Sequence, residues 1–170
     1  STQLFDLKGR RALITGSSKG IGFALARGLG AAGAEVVLNG RSQQTLDAAR
    51  HTLVEEGVTT HASVFDVTQP HAVTAAIEHI ESAVGPLDIL INNAGMQFRT
   101  PLEDYPTDTW STLMRTNLDS AFYVGQAAAK HMIKRAAGRI INICSVQSEL
   151  GRPGIAPYAA SKGALKMLTK

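Results

Sequence analysis

The chain has 170 residues, of which 44% are hydrophobic and 18% charged, and its formal net charge is +3. This composition favours one globular domain, and the scattered lysines and arginines argue against a nucleic-acid-binding face. No apolar run approaches the roughly 18 residues of a membrane-spanning helix and no signal peptide is recognisable, so we expect a cytoplasmic protein without a membrane partner.

Short apolar segments alternate with longer segments of helical periodicity along the chain. The predicted strands are residues 11–15, 35–39, 60–65, 87–91 and 139–144. The predicted helices are residues 21–32, 44–56, 70–84 and 107–135, with a last helix that opens at Pro157 and is still running at Lys170. Strands separated by helices are expected to lie parallel with right-handed crossovers. The pattern predicts one Rossmann-type α/β domain, residues 1–170, with helices on both faces of a doubly wound parallel sheet and ligands beyond the carboxyl ends of its strands.

A glycine-rich turn, T-G-S-S-K-G-I-G at residues 15–22, lies between the first predicted strand and the first predicted helix. Glycines there let backbone amides approach a pyrophosphate, and the helix N-terminus adds partial positive charge. A flexible turn without a ligand is the alternative, but the strand-turn-helix context favours a dinucleotide site. The residues expected to hold the dinucleotide here are Gly16, Ser18, Lys19, Gly20, Ile21 and Gly22.

The second predicted strand leads into Asn39-Gly40-Arg41. A chain that binds NAD is expected to carry an acidic residue at this point, and that residue would repel the 2′-phosphate of NADP. Arg41, with Lys19 in the facing turn, would instead attract the phosphate. We therefore expect NADP as the cofactor, with NAD as the alternative. Arg41 would be an ordinary surface residue if it did not contact the 2′-phosphate.

Polar or small residues also follow the third and fourth strands. Asp66 could accept a hydrogen bond from an adenine amino group, or it could cap the next helix together with Thr68. The asparagines at 92–93 can tie neighbouring strands together, and the small residues at 94–95 leave room for a flat ring or a ribose. The residues expected to bind the cofactor here are Asp66, Val67, Asn93, Ala94 and Gly95.

The fifth predicted strand leads to a serine, a tyrosine and a lysine. Ser145 follows the strand, whereas Tyr158 and Lys162 stand four residues apart on one face of the last predicted helix. A lysine ammonium beside a phenol favours the phenolate and lowers the phenol pKa from about 10, so such a tyrosine can exchange a proton near neutral pH. Cys144 is expected to be a small buried residue rather than a nucleophile. The histidines show no metal-ligand spacing, so no metal site is expected.

Five motifs resemble the short-chain dehydrogenase/reductase family in their order and spacing. They are T-G-x-x-x-G-I-G at 15–22, N-N-A-G at 92–95, Asn117 in the long helix, Ser145, and Y-x-x-x-K at 158–162. The resemblance implies a Rossmann-type fold, a homotetramer, and hydride transfer between a nicotinamide cofactor and an alcohol or ketone.

The resemblance also implies a role for each matching residue. Tyr158 would be the general acid/base, and Lys162 would lower the pKa of Tyr158 and hold the nicotinamide ribose. Ser145 would orient and polarise the substrate carbonyl, and Asn117 would support a water that relays protons to Lys162. These four residues are expected to be catalytic, and Tyr158 and Lys162 are expected to contact the cofactor as well.

Residues 4–10, 13–27 and 142–158 are most similar to family members that act on sugar acids, which implies D-gluconate and 5-keto-D-gluconate as the substrate pair. The residues expected to bind this substrate are Arg99, Ser145, Gln147, Arg152 and Tyr158. Each arginine could meet a carboxylate, with a lid or interface role as the alternative. A reductase of 3-oxoacyl thioesters or of another polyol, and a non-catalytic NADP-binding scaffold, are the competing functions.

The family pattern continues past its catalytic helix with two more strands, further helices and a loop that closes over the substrate. The chain stops inside the helix that carries Tyr158 and Lys162. We therefore expect the C-terminal part of the fold to be absent here and the apolar flank of the fifth strand to be exposed.

Overall fold

The computed structural model describes residues 5–170 and consists of alternating strands and helices. The strands are β1 (Arg11–Ile14), β2 (Glu35–Gly40), β3 (Thr60–Val64), β4 (Ile89–Asn92) and β5 (Arg139–Asn142). The helices are α1 (Gly20–Ala31), α2 (Gln43–Glu55), α3 (Pro70–His79), α4 (Thr107–Met114), α5 (Ser120–Lys134) and α6 (Ala156–Thr169). Short 3-10 turns cover Leu102–Asp104 and Val146–Ser148, while π-helical turns at Ile80–Val84 and Arg115–Asp119 extend α3 and join α4 to α5.

The five strands form one parallel sheet in the order β3-β2-β1-β4-β5. The chain changes direction across the sheet at β1, because β2 lies on one side of β1 and β4 on the other. Such a switch point is where doubly wound sheets form a ligand-binding crevice, at the carboxyl ends of the strands. The predicted α/β fold with a parallel sheet is confirmed, and the predicted ends of its elements lie within two residues of the observed ones when the π turns count as helix.

Two apolar layers attach the helices to the sheet. Alternate side chains of a strand point to opposite faces, so Leu13 packs with Ile77 and Val124 on the face covered by α3 and α5, whereas Ile14 packs with Leu46 on the face covered by α1 and α2. Burial of each such side chain contributes about 1.5–3 kcal/mol relative to exposure. The layers fix the strand ends, and hence the crevice, in place.

β5 is an edge strand in the part of the chain that the structure describes. Ile140 is 37% exposed and Ile141 is 47% exposed, and Cys144 has intermediate exposure. The prediction that Cys144 is buried is therefore wrong for residues 5–170, because the apolar neighbours of a residue do not reveal whether a second strand covers it. The exposed flank expected on this strand is present.

Two kinds of feature are absent from residues 5–170. None of the helices there combines the length and the apolar character that crossing a membrane requires. The same residues bring together no group of three or more histidine, cysteine, aspartate or glutamate side chains that could hold a metal ion.

A charged cluster joins the amino ends of three neighbouring strands. Glu35 of β2 is hydrogen-bonded to Arg11 of β1 on one side and to His61 of β3 on the other. Burial acts to raise the pKa of Glu35, but the hydrogen bonds to His61 and Arg11 and the charge of Arg11 outweigh it and hold the pKa below its ordinary value of 4.5. Ionised Glu35 therefore stabilises this end of the sheet.

The free energy of unfolding is expected to fall in acid partly because of Glu35. A carboxyl with a lowered pKa in the folded state contributes its full stability above its ordinary value of 4.5 and loses that contribution as the pH falls through the folded-state pKa. Glu35→Gln should lower stability at neutral pH and flatten its decline in acid. Urea unfolding of the full-length protein at neutral and acidic pH measures both effects. Glu78→Gln, at an exposed position of α3, is the control, and equal acid slopes for wild type and Glu35→Gln would contradict the assignment.

Candidate active site and cofactor cleft

The turn between β1 and α1 is shaped by two glycines. Gly16 has a φ of +61°, and a Cβ at this position would come within 3.0 Å of the Cα of Ala94. A Cβ on Gly22 would lie 2.4 Å from the carbonyl oxygen of Gly16 and 2.5 Å from Nδ2 of Asn93. Both positions therefore require glycine, the first for its backbone conformation and both for close approach.

The N-terminus of α1 opens onto free space. Lys19 occupies the N-cap position without a side-chain capping hydrogen bond, and a Cβ added to Gly20 would meet no atom within 4 Å. The first-turn N–H groups and the positive end of the helix dipole are therefore available to an anion such as a pyrophosphate. Ile21 is 68% exposed, so its side chain faces outward beside this opening.

A cleft of about 740 Å³ lies between the N-terminal end of α1 and one face of α2. Lys19 and Arg41 both line it, together with Ser18, Phe23 and Ser42. Neither cation forms an ion pair within residues 5–170. Two exposed cations beside one cleft suit a phosphate group. The structure thus brings together the two residues that sequence analysis selected for the 2′-phosphate.

Asn39 supports this region from beneath and is 1% exposed. Its Oδ1 accepts a hydrogen bond from the backbone N–H of Gly16 at 3.2 Å, and its Nδ2 donates to the carbonyl oxygen of Phe65 at 3.1 Å. The hydroxyl of Ser17 donates to the carbonyl of Ile14 at 2.7 Å and accepts from the backbone N–H of Asn39 at 2.9 Å. Asn39 and Ser17 therefore join the ends of β1, β2 and β3, and sequence analysis did not identify this role of Ser17.

The two asparagines at the carboxyl end of β4 tie neighbouring strands together, as expected. Asn92 donates from Nδ2 to Oδ1 of Asn142 on β5 at 2.9 Å. Asn93 donates from Nδ2 to the carbonyl oxygens of Thr15 at 3.0 Å and Gly16 at 3.1 Å. The glycine-rich turn after β1 is thereby fixed against the end of β4.

Thr15 completes the same junction, although sequence analysis did not select it. Its Oγ1 accepts hydrogen bonds from the backbone N–H groups of Asn93 and Ala94, each at 3.0 Å, and the residue is 1% exposed. The available signal was a hydroxyl-bearing residue at the end of a buried strand, where backbone groups need partners.

Asp66 lies in the turn after β3. Its Oδ1 accepts hydrogen bonds from the backbone N–H of Thr68 at 2.8 Å and from its hydroxyl at 2.7 Å. Burial acts to raise the pKa of Asp66, but the Thr68 hydrogen bonds and the charge of Arg41 outweigh it and lower the pKa. α3 begins at Pro70 with Gln69 at its N-cap, so the helix-capping alternative for Asp66 is not observed and its carboxylate closes the preceding turn. The side chain of Val67 is buried, which leaves only its backbone for a ligand.

α6 places Tyr158 and Lys162 on one side of the helix. The Lys162 ammonium lies 5.9 Å from the centroid of the Tyr158 ring, and Nζ donates a hydrogen bond to the carbonyl oxygen of Ile143 at 2.7 Å. Lys162 is only 5% exposed, and this burial lowers its pKa despite the opposing effect of Cys144. The lysine therefore holds α6 against the end of β5 and presents its charge beside the phenol.

Asn117 lies on the π turn between α4 and α5, a geometry that is frequent at functional sites. Its Oδ1 accepts a hydrogen bond from the backbone N–H of Met96 at 2.7 Å, and its Nδ2 donates to the Met96 carbonyl at 2.9 Å and to Oγ of Ser161 at 3.0 Å. A Cβ on Gly95 would lie 3.4 Å from Oδ1 of Asn117 and 3.8 Å from Nζ of Lys162. The asparagine amide and the lysine ammonium thus flank the same small space at Gly95.

Ser145 opens the 3-10 turn that follows β5. Its Oγ accepts a hydrogen bond from the backbone N–H of Gln147 at 3.2 Å, which leaves its hydroxyl proton available to a ligand. The turn packs against α6, since a Cβ on Gly163 would lie 3.8 Å from the carbonyl oxygen of Ser148. Oε1 of Gln147 is buried and has no hydrogen-bond partner within residues 5–170. A buried acceptor of this kind suits a ligand hydroxyl.

Arg99 and Arg152 lie on two exposed loops that meet. The backbone N–H of Thr100 donates to the carbonyl oxygen of Gly154 at 3.2 Å. The structure therefore brings the loops that carry the two arginines together. No hydrogen bond within residues 5–170 joins either guanidinium to Ser145.

Comparison with known proteins gives consistent results. The model of the family described as short chain dehydrogenase matches residues 10–170. The chain is 58% identical to gluconate 5-dehydrogenase of Gluconobacter oxydans (strain 621H), covering 98% of this chain and 65% of the relative. It is 50% identical to 5-keto-D-gluconate 5-reductase of Escherichia coli (strain K12), covering 98% and 66%. A crystal structure of a gluconate 5-dehydrogenase from Burkholderia cenocepacia J2315 in complex with NADP and tartrate has a TM-score of 0.94 and 56% identity, covering 97% of this chain and 65% of that one.

Proposed function

Since the chain belongs to the short-chain dehydrogenase family, we propose that the protein containing it is an oxidoreductase that transfers a hydride between NADP(H) and a secondary alcohol or ketone. D-gluconate and 5-keto-D-gluconate are the proposed substrate pair. The observation that carries the proposal is the placement of Ser145, Tyr158 and Lys162 at the carboxyl ends of β4 and β5, across the crevice from the glycine turn of β1.

The residues around the crevice fit a dinucleotide with a 2′-phosphate. The open N-terminus of α1 suits the pyrophosphate, and Lys19 and Arg41 suit the 2′-phosphate. Gly95 leaves space next to Lys162 for a ribose. The Burkholderia relative was solved with NADP, which supports the same assignment.

In the proposed mechanism the bound nicotinamide supplies the hydride, and this chain supplies position and a proton. The hydroxyl of Ser145 donates a hydrogen bond to the substrate carbonyl oxygen. Tyr158 gives that oxygen a proton during reduction and takes it back during oxidation. The ammonium of Lys162 lies 5.9 Å from the centroid of the Tyr158 ring and would hold the nicotinamide ribose beside that ring.

A polyhydroxy acid suits the side of the site around Gln147. The unpartnered Oε1 of Gln147 can accept a hydrogen bond from a substrate hydroxyl, and Arg99 or Arg152 can meet the carboxylate. The relative solved with tartrate, itself a hydroxy acid, supports this class of substrate.

We propose a homotetramer in the cytoplasm for the complete protein. Exposed apolar side chains along α4 and α5 support self-association, among them Trp110 at 40%, Phe122 at 45% and Ile133 at 76% exposure. The small residues at 159–160 and 163–164 of α6 permit close packing of a second helix.

Steady-state oxidation of NADPH by the full-length protein tests the proposed function. We expect 5-keto-D-gluconate to be turned over with NADPH well above its turnover with NADH. Its turnover with NADPH should also be well above that of an acetoacetyl thioester. Preferential turnover of the thioester would contradict the substrate assignment and retain the mechanism. NADPH binding without turnover of either compound would favour a non-catalytic scaffold.

Arg41→Ala is expected to weaken the binding of NADPH selectively over that of NADH. Loss of a charge-assisted hydrogen bond to the 2′-phosphate should raise KM for NADPH about 10- to 100-fold and leave KM for NADH nearly unchanged. Arg50→Ala removes an exposed arginine of α2 that does not line the cleft, and it should alter neither value. A parallel rise in both KM values for Arg41→Ala would show that the arginine does not distinguish the cofactors.

A further inference from the structure

A buried serine lies between the tyrosine and the lysine of α6. Ser161 is 0% exposed, and its hydroxyl donates a hydrogen bond to the carbonyl oxygen of Tyr158 at 2.7 Å. Its oxygen also accepts a hydrogen bond from Nδ2 of Asn117 at 3.0 Å. A hydroxyl has one proton, so once that proton is given to Tyr158, Ser161 can only accept from Asn117.

The hydrogen bonds around Asn117 fix which way its amide points. Oδ1 must accept from the N–H of Met96, and Nδ2 therefore faces both the Met96 carbonyl and Ser161. The backbone of Met96 holds the amide on the β4 side of the crevice, and Ser161 is its hydrogen-bond contact on α6. The Ser161 hydroxyl therefore links α6, which carries Tyr158 and Lys162, to the π turn between α4 and α5.

We infer that Ser161 is a positioning residue that holds α6, and with it Tyr158 and Lys162, in place against the Asn117 amide. The inference rests on the proposed function, since it assigns a role in the same reaction. Ser161 itself faces neither substrate nor cofactor, because it is fully buried. Its effect reaches the site through Asn117, whose Oδ1 lies across the space at Gly95 from Nζ of Lys162.

Removal of the hydroxyl leaves one of the two Nδ2 protons of Asn117 without an acceptor. Asn117 then keeps its two hydrogen bonds to the Met96 backbone but loses its hydrogen bond to α6, while the burial of the apolar core and the Lys162 contact to Ile143 are unaffected. Ser161→Ala should therefore disturb the reaction more than the fold.

A double-mutant cycle on the full-length protein tests the inference. Ser161→Ala should lower kcat about tenfold with KM for NADPH within about twofold of wild type, and Asn117→Ala should lower kcat at least as much. If Ser161 acts through Asn117, the double variant should be no slower than Asn117→Ala alone. Ser120→Ala is the matched control, because Ser120 is 3% exposed on α5 and its hydroxyl donates, within residues 5–170, to the carbonyl oxygen of Thr116 in the adjoining π turn and not to α6. Multiplying effects in the double variant, or an unchanged kcat in Ser161→Ala, would overturn the inference.

A second measurement separates the inference from the choice of substrate. In protein with ¹⁵N-labelled asparagine, the side-chain NH₂ protons of Asn117 should exchange with solvent faster in Ser161→Ala than in wild type or Ser120→Ala. This result does not depend on any substrate, so it stands even if the full-length protein fails to reduce 5-keto-D-gluconate. Equal exchange in wild type and Ser161→Ala would overturn the inference and leave the proposed function intact.

Discussion

Tyr158→Phe is expected to remove nearly all turnover by the full-length protein and to change NADPH binding far less. The phenol is the only proposed proton donor to the substrate oxygen, and general acid/base catalysis by one side chain contributes about 10²–10⁴-fold. The ring itself packs on α6 beside Lys162, and phenylalanine keeps that packing. The kcat should therefore fall about 10³-fold, whereas the Kd of NADPH, measured by fluorescence, should change by less than about tenfold.

Tyr123→Phe supplies the matched control for this experiment. Tyr123 lies on α5, partly buried against the core and outside the proposed site. The kcat of the Tyr123→Phe variant should equal that of wild type. A Tyr158→Phe protein with more than about a tenth of the wild-type kcat would remove Tyr158 from the role of acid/base, because a factor of ten is below the range that such catalysis provides.

Gly22→Ala is the second substitution with a large expected effect, and it changes the glycine-rich turn between β1 and α1. Its Cβ would lie 2.4 Å from the carbonyl oxygen of Gly16 and 2.5 Å from Nδ2 of Asn93, so the turn or α1 must move. Overpacking of this kind costs about 1–3 kcal/mol, and the displaced turn also loses its alignment with a pyrophosphate. The variant should unfold at lower urea concentration, and its Kd for NADPH should rise about tenfold or more.

Gly28→Ala is the control on the same helix. A Cβ at Gly28 would meet no atom within 4 Å, and alanine is the better helix former by about 1 kcal/mol, so this variant should be as stable as wild type or more stable. Its NADPH binding should not change. If Gly22→Ala bound NADPH as wild type does, the close approach at this turn would not matter for the cofactor.

Much of the fold follows from the alternation of apolar runs and helical periodicity. The five strands, their parallel arrangement and the position of the glycine turn were all predictable, because period and local turn chemistry are short-range signals. The partial exposure of Cys144 was not, because burial beside a strand depends on whether another strand covers it, which the neighbouring residues do not encode.

The polar frame of the site was predictable only in part. Tyr158 and Lys162 stand four residues apart, so their shared helix face is readable from the chain. Thr15 and Asn93 are 78 residues apart, and Asn117 and Ser161 are 44 apart. Hydrogen bonds over such separations are set by the packed fold, which is why the roles of Thr15, Ser17 and Ser161 emerge only from the structure.

Hydride transfer from NADPH to a sugar-acid ketone is most directly tested by isotope labelling. The full-length protein would be incubated with 5-keto-D-gluconate and NADPH that carries deuterium at both C4 positions of its nicotinamide, and the product would be analysed by mass spectrometry and NMR. The account predicts gluconate with one deuterium, bound to C5. Gluconate without deuterium, or no gluconate while NADPH is bound, would contradict it.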